Sequence, residues 1–492
     1  MTAPQVKSAT ADAATSTEPT ADRRPLCVDL DGTLIATDML WESFLLLLKS
    51  KPWLLLAVPV WFSQGKAKMK RRLVDLVQPD PAALPYRPEV LAYITAAKDA
   101  GRPAHLVTAS DQHLADKVQQ HLQIFDEAVG SDGSTNLKGS QKAAWLESRF
   151  GRGGYDYVGD SSADAAPWAA AHTAIAVDPR TGIAAKARRA NPRVEVIAPK
   201  MQTTPKAMIK ALRPHQWLKN VLLFVAPILA HRTDVALWLQ VLLGFVAFSL
   251  TASSVYILND LLDLESDRQH RTKRHRPFAS GALSIPAGLA LFPFVLLGGL
   301  LTSAFFLPWK FTAALFGYWI LTTAYSFYLK RKMMVDVLTL AALFTYRVLS
   351  GGLAAEVAVS EWLLGFSMFF FLGLAFVKRY SELLQTQQKE LERIPGRGYW
   401  VVDMQLITSF GPAAGFMAVL VFCLYIASPQ VKELYSQPVF LWLIAPILLY
   451  WVARVWLLAG REQLHDDPVL FAIRDRHSYL AGFLTRQTSV RK

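Results

Sequence analysis

Asn259-Asp260-Leu261-Leu262-Asp263-Leu264-Glu265-Ser266-Asp267 runs straight off an apolar stretch, Ala236 to Ile257, and into Arg268-Gln269-His270-Arg271-Thr272-Lys273-Arg274-His275-Arg276-Pro277. If the helix expected for the apolar stretch continues through the acids, Asp260, Asp263 and Asp267 fall at i, i+3 and i+7 and share one face. Carboxylates gathered at the end of a membrane helix are costly unless something neutralises them. Mg2+ is a natural partner, because it prefers oxygen ligands and substrate phosphates. The basic run that follows offers donors to phosphate oxygens that the metal does not reach. The alternative is a charged loop facing water. Position and spacing favour an intramembrane site for a diphosphate.

The rest of the chain fits a two-part protein. Its 492 residues suffice for at least two domains. A hydrophobic share of 52% and a mean hydropathy of +0.23 are high for a soluble protein and low for a wholly membrane-embedded one. Strand-like and helix-like segments alternate up to about Lys200, and long apolar runs dominate from Trp217 onward. A net charge of +13 would suit nucleic acid, but the cations lie beside the apolar runs. Membrane orientation and phosphate binding explain them better, so no nucleic-acid partner is expected. The only cysteines, Cys27 and Cys423, lie one in each part, which argues against a disulfide framework. Residues 1–24, rich in Ala, Thr and Ser, read as a disordered tail rather than a signal peptide. Residues 199–212 read as a linker.

Eight apolar runs in 213–492 approach bilayer-spanning length, beginning near Trp217, Ala236, Ile285, Trp309, Met333, Glu361, Asp403 and Pro438. The first is short, and a ninth near Tyr479 is doubtful. Lys and Arg concentrate in the loops after the second, fourth and sixth runs. By the positive-inside rule, those loops and the N-terminal domain face the cytosol, as in a bacterial inner membrane. The same loops carry the polar groups that look chemical. For Lys330, Lys378 and Arg379, however, snorkelling at membrane ends is a sufficient alternative. For Asp336 and Arg347, inside the fifth run, the alternative is a structural ion pair.

The Asn259-Asp260…Asp263…Asp267 run, with Arg268 and Arg276-Pro277 after it, resembles the UbiA superfamily of intramembrane prenyltransferases, over about Arg213 to the C-terminus. The resemblance implies an all-α multi-span membrane bundle in which two Asp-rich motifs hold Mg2+ and a donor diphosphate. Here the second motif is replaced by Lys378-Arg379-Tyr380-Ser381-Glu382. That stretch, with Arg213-Pro214…Trp217…Lys219-Asn220, Tyr325-Ser326…Leu329-Lys330…Asp336-Val337 and Arg347, is similar to the decaprenyl-phosphate phosphoribosyltransferase branch. The branch implies phosphoribosyl diphosphate and a polyprenyl phosphate as substrates. By this resemblance Asn259, Asp260, Asp263 and Asp267 serve the Mg2+-diphosphate. Lys219, Lys273, Arg276, Lys330, Arg347, Lys378 and Arg379 become candidate phosphate binders. Extra Lys and Arg suit a site that holds a diphosphate, a 5-phosphate and an acceptor phosphate together.

In the N-terminal part, Leu26-Cys27-Val28-Asp29-Leu30-Asp31-Gly32-Thr33 reads as a buried strand ending in two acids and a glycine turn. His105-Leu106-Val107-Thr108-Ala109-Ser110 is a strand ending in hydroxyls, Asn136-Leu137-Lys138-Gly139 places a lysine before a helix, and Tyr157-Val158-Gly159-Asp160…Asp164 is a strand ending in acids. Together, over 25–198, they resemble the haloacid dehalogenase-like phosphatases, a Rossmann-like α/β fold. The resemblance implies Asp29 as nucleophile, Asp31 as general acid and base, and Thr108 and Lys138 as phosphoryl binders. It places Mg2+ among Asp29, Asp31, Asp160 and Asp164. Lys142 is the alternative to Lys138, and its position suggests a surface helix. Residues of about 40–85, apolar with basic flanks, fit a small helical cap. Two placements stand: the cap lies on the bilayer, or it packs wholly onto its own domain.

The expectation is a phosphoribosyl transfer enzyme with a phosphatase domain that removes the 5-phosphate of its lipid product. The alternatives are prenyl transfer from a prenyl diphosphate to an aromatic acceptor, an N-terminal domain that is a separate phosphatase or a regulatory binding module, and a transporter.

Overall fold

The computed structural model describes residues 23–177, 182–197, 204–394, 396–429, 431 and 438–464. Residues 1–22, most of the expected tail, and the doubtful run near Tyr479 lie outside them. The chain divides into two compact units, Met1–Gln202 and Thr203 onward, with Arg268–Arg271 assigned to the first. Part of the stretch read as linker is a helix, Thr204–Leu212.

The first unit is built on six parallel strands: β1 (Leu26–Val28), β2 (Ala104–Asp111), β3 (Glu127–Ser131), β4 (Asp156–Gly159), β5 (Ala174–Val177) and β6 (Val194–Ile197), in the order 3-2-1-4-5-6. Leu26 pairs with Ala104 on one side and Asp156 on the other, which makes β1 central. Its three residues are fully buried, as a parallel strand covered on both faces requires. Strand order reverses at β1 and β4, and ligands bind such sheets in the crevice beyond the strand ends there. Asp29 and Asp160 follow immediately after those two strands.

Helices Met39–Ser50, Val58–Ser63 and Lys66–Leu76, with the 3-10 segment Pro52–Ala57, lie between β1 and β2 where a cap was expected. Asp38 caps the first, accepting from the Leu40 amide at 2.8 Å.

The second unit is helical among its described residues. Six helices are long and apolar enough to cross a bilayer: Val235–Leu262, Ile285–Phe306, Val335–Ala354, Glu361–Gln388, and the helical stretches Val401–Ala427 and Val439–Gly460. Of the eight apolar runs, six form such helices among the described residues, and the runs near Trp217 and Trp309 differ. The run near Trp217 is broken into a 3-10 segment, Pro214–Phe224, and a short helix, Val225–Leu229. The run near Trp309 forms a 19-residue helix, Trp309–Phe327, diluted by Lys310, Thr312, Thr322 and Thr323. Small residues let these helices approach closely. A methyl on Gly351 would lie 1.9 Å from the Leu223 carbonyl oxygen, and one on Gly299 would lie 2.8 Å from that of Ala247.

Candidate active sites

In the first unit, the ends of β1, β2 and β4 bring the predicted residues together. Asp29 is buried and its Oδ1 accepts from Lys142 Nζ at 2.7 Å. Lys142 also donates to the Tyr157 hydroxyl at 2.8 Å, which donates to Asp164 Oδ1 at 2.9 Å. Lys142 is therefore the lysine of this site, and the reading of it as a surface residue is corrected. It sits in the first turn of helix Ser140–Phe150, whereas Lys138 precedes that helix and is exposed. Asp164 is fixed by the Ser161 amide and hydroxyl, at 3.0 and 2.8 Å. Thr108 is fully buried and accepts from the Ser110 amide at 3.0 Å.

Ligand oxygens of Asp29, Asp160 and Asp164 all lie within 4.8 Å of one another. An all-carboxylate set of this kind suits a hard divalent cation such as Mg2+. Burial pushes the Asp160 carboxyl up to about 8 and that of Asp29 up to about 7, with neighbouring carboxylates adding to both and Lys142 opposing the rise at Asp29. Concentrated negative charge of this sort fits the metal. Asp31 was expected among the ligands, but it lies outside this trio. Its Oδ1 accepts from the Met39 amide at 2.8 Å and its Oδ2 from the Ser110 hydroxyl at 2.6 Å. Burial raises the Asp31 carboxyl to about 6, a suitable value for an acid and base near neutral pH. Gly32 has φ +77° and passes so close to Asp160 that an added methyl would lie 2.3 Å from its carboxylate oxygen.

Sequence reasoning missed Lys70. From cap helix Lys66–Leu76 its Nζ reaches the Ala109 carbonyl at 2.7 Å and Asn136 Oδ1 at 3.2 Å. It lies near enough to Asp31 and Asp29 to interact with both charges. A lysine inside a long basic run gives no sign of which cation turns inward.

In the second unit the acidic run does not form one continuous helix. Helix Val235–Leu262 ends at Asp263, whose φ of −103° and ψ of 18° are not helical, and a new helix, Leu264–Gln269, follows. The three acids therefore divide. Arg276 Nη1 donates to Asp260 Oδ1 at 3.1 Å and to Asp267 Oδ2 at 2.6 Å. Arg213 also pairs with Asp260. Asp263 is partly exposed and lies 3.5 Å from Lys330 Nζ. The buried Oδ2 of Asp260 has no hydrogen-bond partner among the described residues, an orphaned acceptor that fits a metal ion. Asn259, half-buried, precedes Asp260, while Lys273 is exposed in the loop before Arg276.

The stretch after the sixth expected run is closed by charge pairing. Arg379 is fully buried and its Nε lies 2.8 Å from Asp336 Oδ2, while its Nη1 pairs with Glu382. Arg397 donates to Asp336 Oδ1 at 3.1 Å and to the Tyr325 hydroxyl at 3.2 Å, and its Nε lies 3.1 Å from Glu382 Oε2. Asp336 thus pairs with Arg379 and Arg397 rather than with Arg347. Lys378 beside them is half-buried.

Arg347 is buried among neutral partners. It donates to Asn220 Oδ1 at 3.0 Å, the Leu343 carbonyl at 2.6 Å and the Tyr318 hydroxyl at 2.7 Å. Its guanidinium lies over the rings of Phe248, Tyr318 and Phe344, 5.1 to 5.5 Å from their centroids. Lys219 Nζ lies 5.8 Å from the Phe344 centroid.

The parallel sheet with acids at its switch point, and the helical bundle with an arginine-clamped acidic pair, match known families. Residues 221–476 match the UbiA prenyltransferase family, and residues 26–166 match the haloacid dehalogenase-like hydrolases. The chain belongs to the UbiA prenyltransferase family. It is an integral, multi-pass membrane enzyme, a UbiA-type transferase carrying a phosphatase-like domain. An uncharacterized protein of Sinorhizobium fredii, y4nM, is 41% identical over 468 residues, covering 94% of this chain and 90% of its own length. The decaprenyl-phosphate phosphoribosyltransferase of Mycobacterium tuberculosis is 38% identical over 182 residues, covering 36% of this chain and 60% of its own length. A solved UbiA homolog from Archaeoglobus fulgidus, bound to DMAPP and Mg2+, aligns with a TM-score of 0.45 and 16% identity over 57% of this chain and 97% of its own.

Proposed function

We propose that the second unit transfers 5-phosphoribose from phosphoribosyl diphosphate to a polyprenyl phosphate, and that the first unit removes the 5-phosphate from the product. The observation that carries this reading is the closure of Glu382 and Asp336 by Arg379 and Arg397. A site whose second acidic position is already neutralised by two guanidiniums suits one metal-diphosphate and additional anions. Arg347, buried among neutral partners, adds a cation for a further phosphate. The similarity to a decaprenyl-phosphate phosphoribosyltransferase points the same way.

In this reading Asp260, Asp263 and Asp267 would hold Mg2+, which when bound would offset the charge of the leaving diphosphate. Arg276 and Arg213 supply donors to diphosphate oxygens beside the same carboxylates, and Lys330 serves the Asp263 side. An oxygen of the acceptor phosphate forms the new bond to ribose C1 as the C1–diphosphate bond breaks. Diphosphate departs with the electron pair. The acceptor is already anionic, so the step needs no general base.

In the first unit Asp29 attacks phosphorus as the ester P–O bond breaks, and Asp31 protonates the departing alkoxide. Asp31 then takes a proton from the water that hydrolyses the aspartyl-phosphate. Lys142 and Thr108 hold the phosphoryl oxygens, and Lys70 adds a cation from the cap. Asp29, Asp160 and Asp164 would hold Mg2+ there. The basic loops and the phosphatase-like unit face the cytosol of a bacterial inner membrane in this reading.

The test is to incubate detergent-solubilised protein with Mg2+, labelled phosphoribosyl diphosphate and a polyprenyl phosphate. Wild type is run beside Asp263→Asn and Asp29→Asn. Label should enter the lipid fraction with wild type and Asp29→Asn, but not with Asp263→Asn, and only Asp29→Asn should retain the 5-phosphate. No transfer by well-folded wild type, together with incorporation of a labelled prenyl diphosphate into an aromatic acceptor, would overturn it.

A further inference from the structure

The cap segment Pro52–Ser63 is apolar on two faces. Leu54, Leu55, Val58 and Trp61 pack against Leu47, Met69 and Leu73, so one face is spent on the domain's own core. Trp53, Leu56, Val60 and Phe62 are 66%, 86%, 57% and 54% exposed. Trp53, Leu56 and Val60 are spaced i, i+3, i+7, which gathers them on one side of the two helical turns. A helix that is apolar all round is ordinarily buried all round. Water is a poor partner for this second face.

Charge identifies a better one. From Lys49 to Arg72 the chain carries seven Lys and Arg and no Asp or Glu. Lys66, Lys68 and Arg72 are exposed, and Lys66 Nζ lies 5.8 Å from the Phe62 ring centroid. Aromatic and aliphatic side chains bordered by cations are the composition of a segment lying in the interface of an anionic bilayer. The same polypeptide spans a membrane, so such a surface is always at hand.

We propose that the exposed face of Pro52–Ser63 inserts into the headgroup region of an anionic lipid bilayer, with Lys66, Lys68 and Arg72 on the lipid phosphates. The cap helix Lys66–Leu76 also carries Lys70, so the insertion would anchor an element that contributes to the phosphatase-like site. The insertion does not depend on which substrate either site uses.

Full-length protein with Leu56→Cys, in a Cys423→Ala background, is labelled with the environment-sensitive fluorophore NBD. It is reconstituted in nanodiscs of phosphatidylcholine alone or of phosphatidylcholine mixed with the anionic lipid phosphatidylglycerol. Glu147→Cys, on the exposed face of another helix of the same unit, is the control. The expected result is blue-shifted emission at position 56, quenched by lipids spin-labelled at a shallow depth and more strongly with phosphatidylglycerol, and no quenching at position 147. Charge reversal by Lys66→Glu, Lys68→Glu and Arg72→Glu should remove the phosphatidylglycerol dependence. Emission typical of water at position 56 would overturn the proposal. So would a blue shift that no lipid quencher diminishes, because the face would then be covered by protein. Neither readout needs catalytic turnover, so this proposal and the functional reading fail separately.

Discussion

Lys142 Nζ stands 2.7 Å from Asp29 Oδ1 and 4.0 Å from Asp164 Oδ1, a single buried ammonium between two carboxylates. The charge that offsets this acidic cluster therefore comes from helix Ser140–Phe150, and not from Lys138 in the loop before it. Lys142→Met should lower phosphatase turnover by about 10²-fold or more, as loss of a preorganised charge on a transferred group does. Lys138→Met should change turnover by less than about threefold, in line with an exposed charge largely screened by solvent. Hydrolysis of a small phosphate ester by the full-length protein measures both.

The same crowding gives the metal-free protein a pH dependence. Asp29 and Asp160 are raised to about 7 and about 8, above the ordinary carboxylate range. Between that range and those values the folded state binds more protons than the unfolded state. Stability is therefore fully present below the ordinary carboxylate value and falls as pH rises through the folded ones. A cation seated among the carboxylates favours their charged forms and reverses the trend. The midpoint of thermal unfolding of this unit, followed in detergent, should fall from pH 5 to pH 8 in a chelator. Mg2+ should raise it by several degrees at pH 8 and by much less at pH 5. An equal Mg2+ effect at both values would argue against the cluster as the site.

The motifs of this site were legible because each sits at a strand end, where a parallel sheet must present its loops. Asp29, Asp31, Thr108 and Asp160 follow from three short apolar runs and the residues at their ends. Lys142 did not, because a lysine in a helix reads as solvated unless its partners are known. Only the folded structure supplies Asp29 and Tyr157 as its neighbours. In the second unit the sequence puts Asp260, Asp263 and Asp267 on one face. Asp260 and Asp267 do meet at Arg276. The break at Asp263 was not legible, since nothing in Leu261-Leu262-Asp263-Leu264 forbids a helix. Arg397 was beyond reach for a related reason. It lies in a loop far along the chain from Asp336, and only the fold brings its guanidinium to Asp336 and Glu382.

Arg276 joins Asp260 and Asp267 with one nitrogen, 3.1 and 2.6 Å from their oxygens. Arg276→Lys keeps the charge but replaces a rigid fork with a point charge on a flexible stem. Transfer should fall about tenfold, mainly through a higher KM for the diphosphate donor. Arg276→Ala should fall at least another tenfold, because two buried carboxylates lose a partner. Transfer assays across donor concentrations separate the two variants. Unchanged KM in Arg276→Lys would place this arginine outside the donor site.

Asp336 is fully buried between Arg379 and Arg397, whereas Lys378 is only half-buried beside them. Breaking a buried ion pair by removing one partner costs about 3–5 kcal/mol, because the other charges remain desolvated. Asp336→Leu should therefore lower the thermal midpoint of the detergent-solubilised transferase unit markedly, and reduce transfer with it. Lys378→Met should leave the midpoint within about a degree, as a partly exposed cation does, while lowering donor affinity if it binds phosphate. Loss of stability in both would assign Lys378 to the structural network instead.

Gly351 tests how Arg347 is held. It lies one turn beyond Arg347 on helix Val335–Ala354, and an added methyl would meet the Leu223 carbonyl oxygen at 1.9 Å. That carbonyl belongs to the 3-10 segment carrying Asn220, the residue that accepts from Arg347 at 3.0 Å. Gly351→Ala must push the segment outward, at a cost of about 1–3 kcal/mol for overpacking a close approach, and it must lengthen the Arg347–Asn220 bond. If Arg347 binds a substrate phosphate, transfer should drop well beyond what lost stability explains, with KM for one phosphorylated substrate rising and the other unaffected. If Arg347 is purely structural, both KM values should stay fixed and only the fraction of folded enzyme should fall. Asn220→Ala, which removes the same hydrogen bond without the steric push, should reproduce the KM effect in the first case and neither effect on substrate affinity in the second.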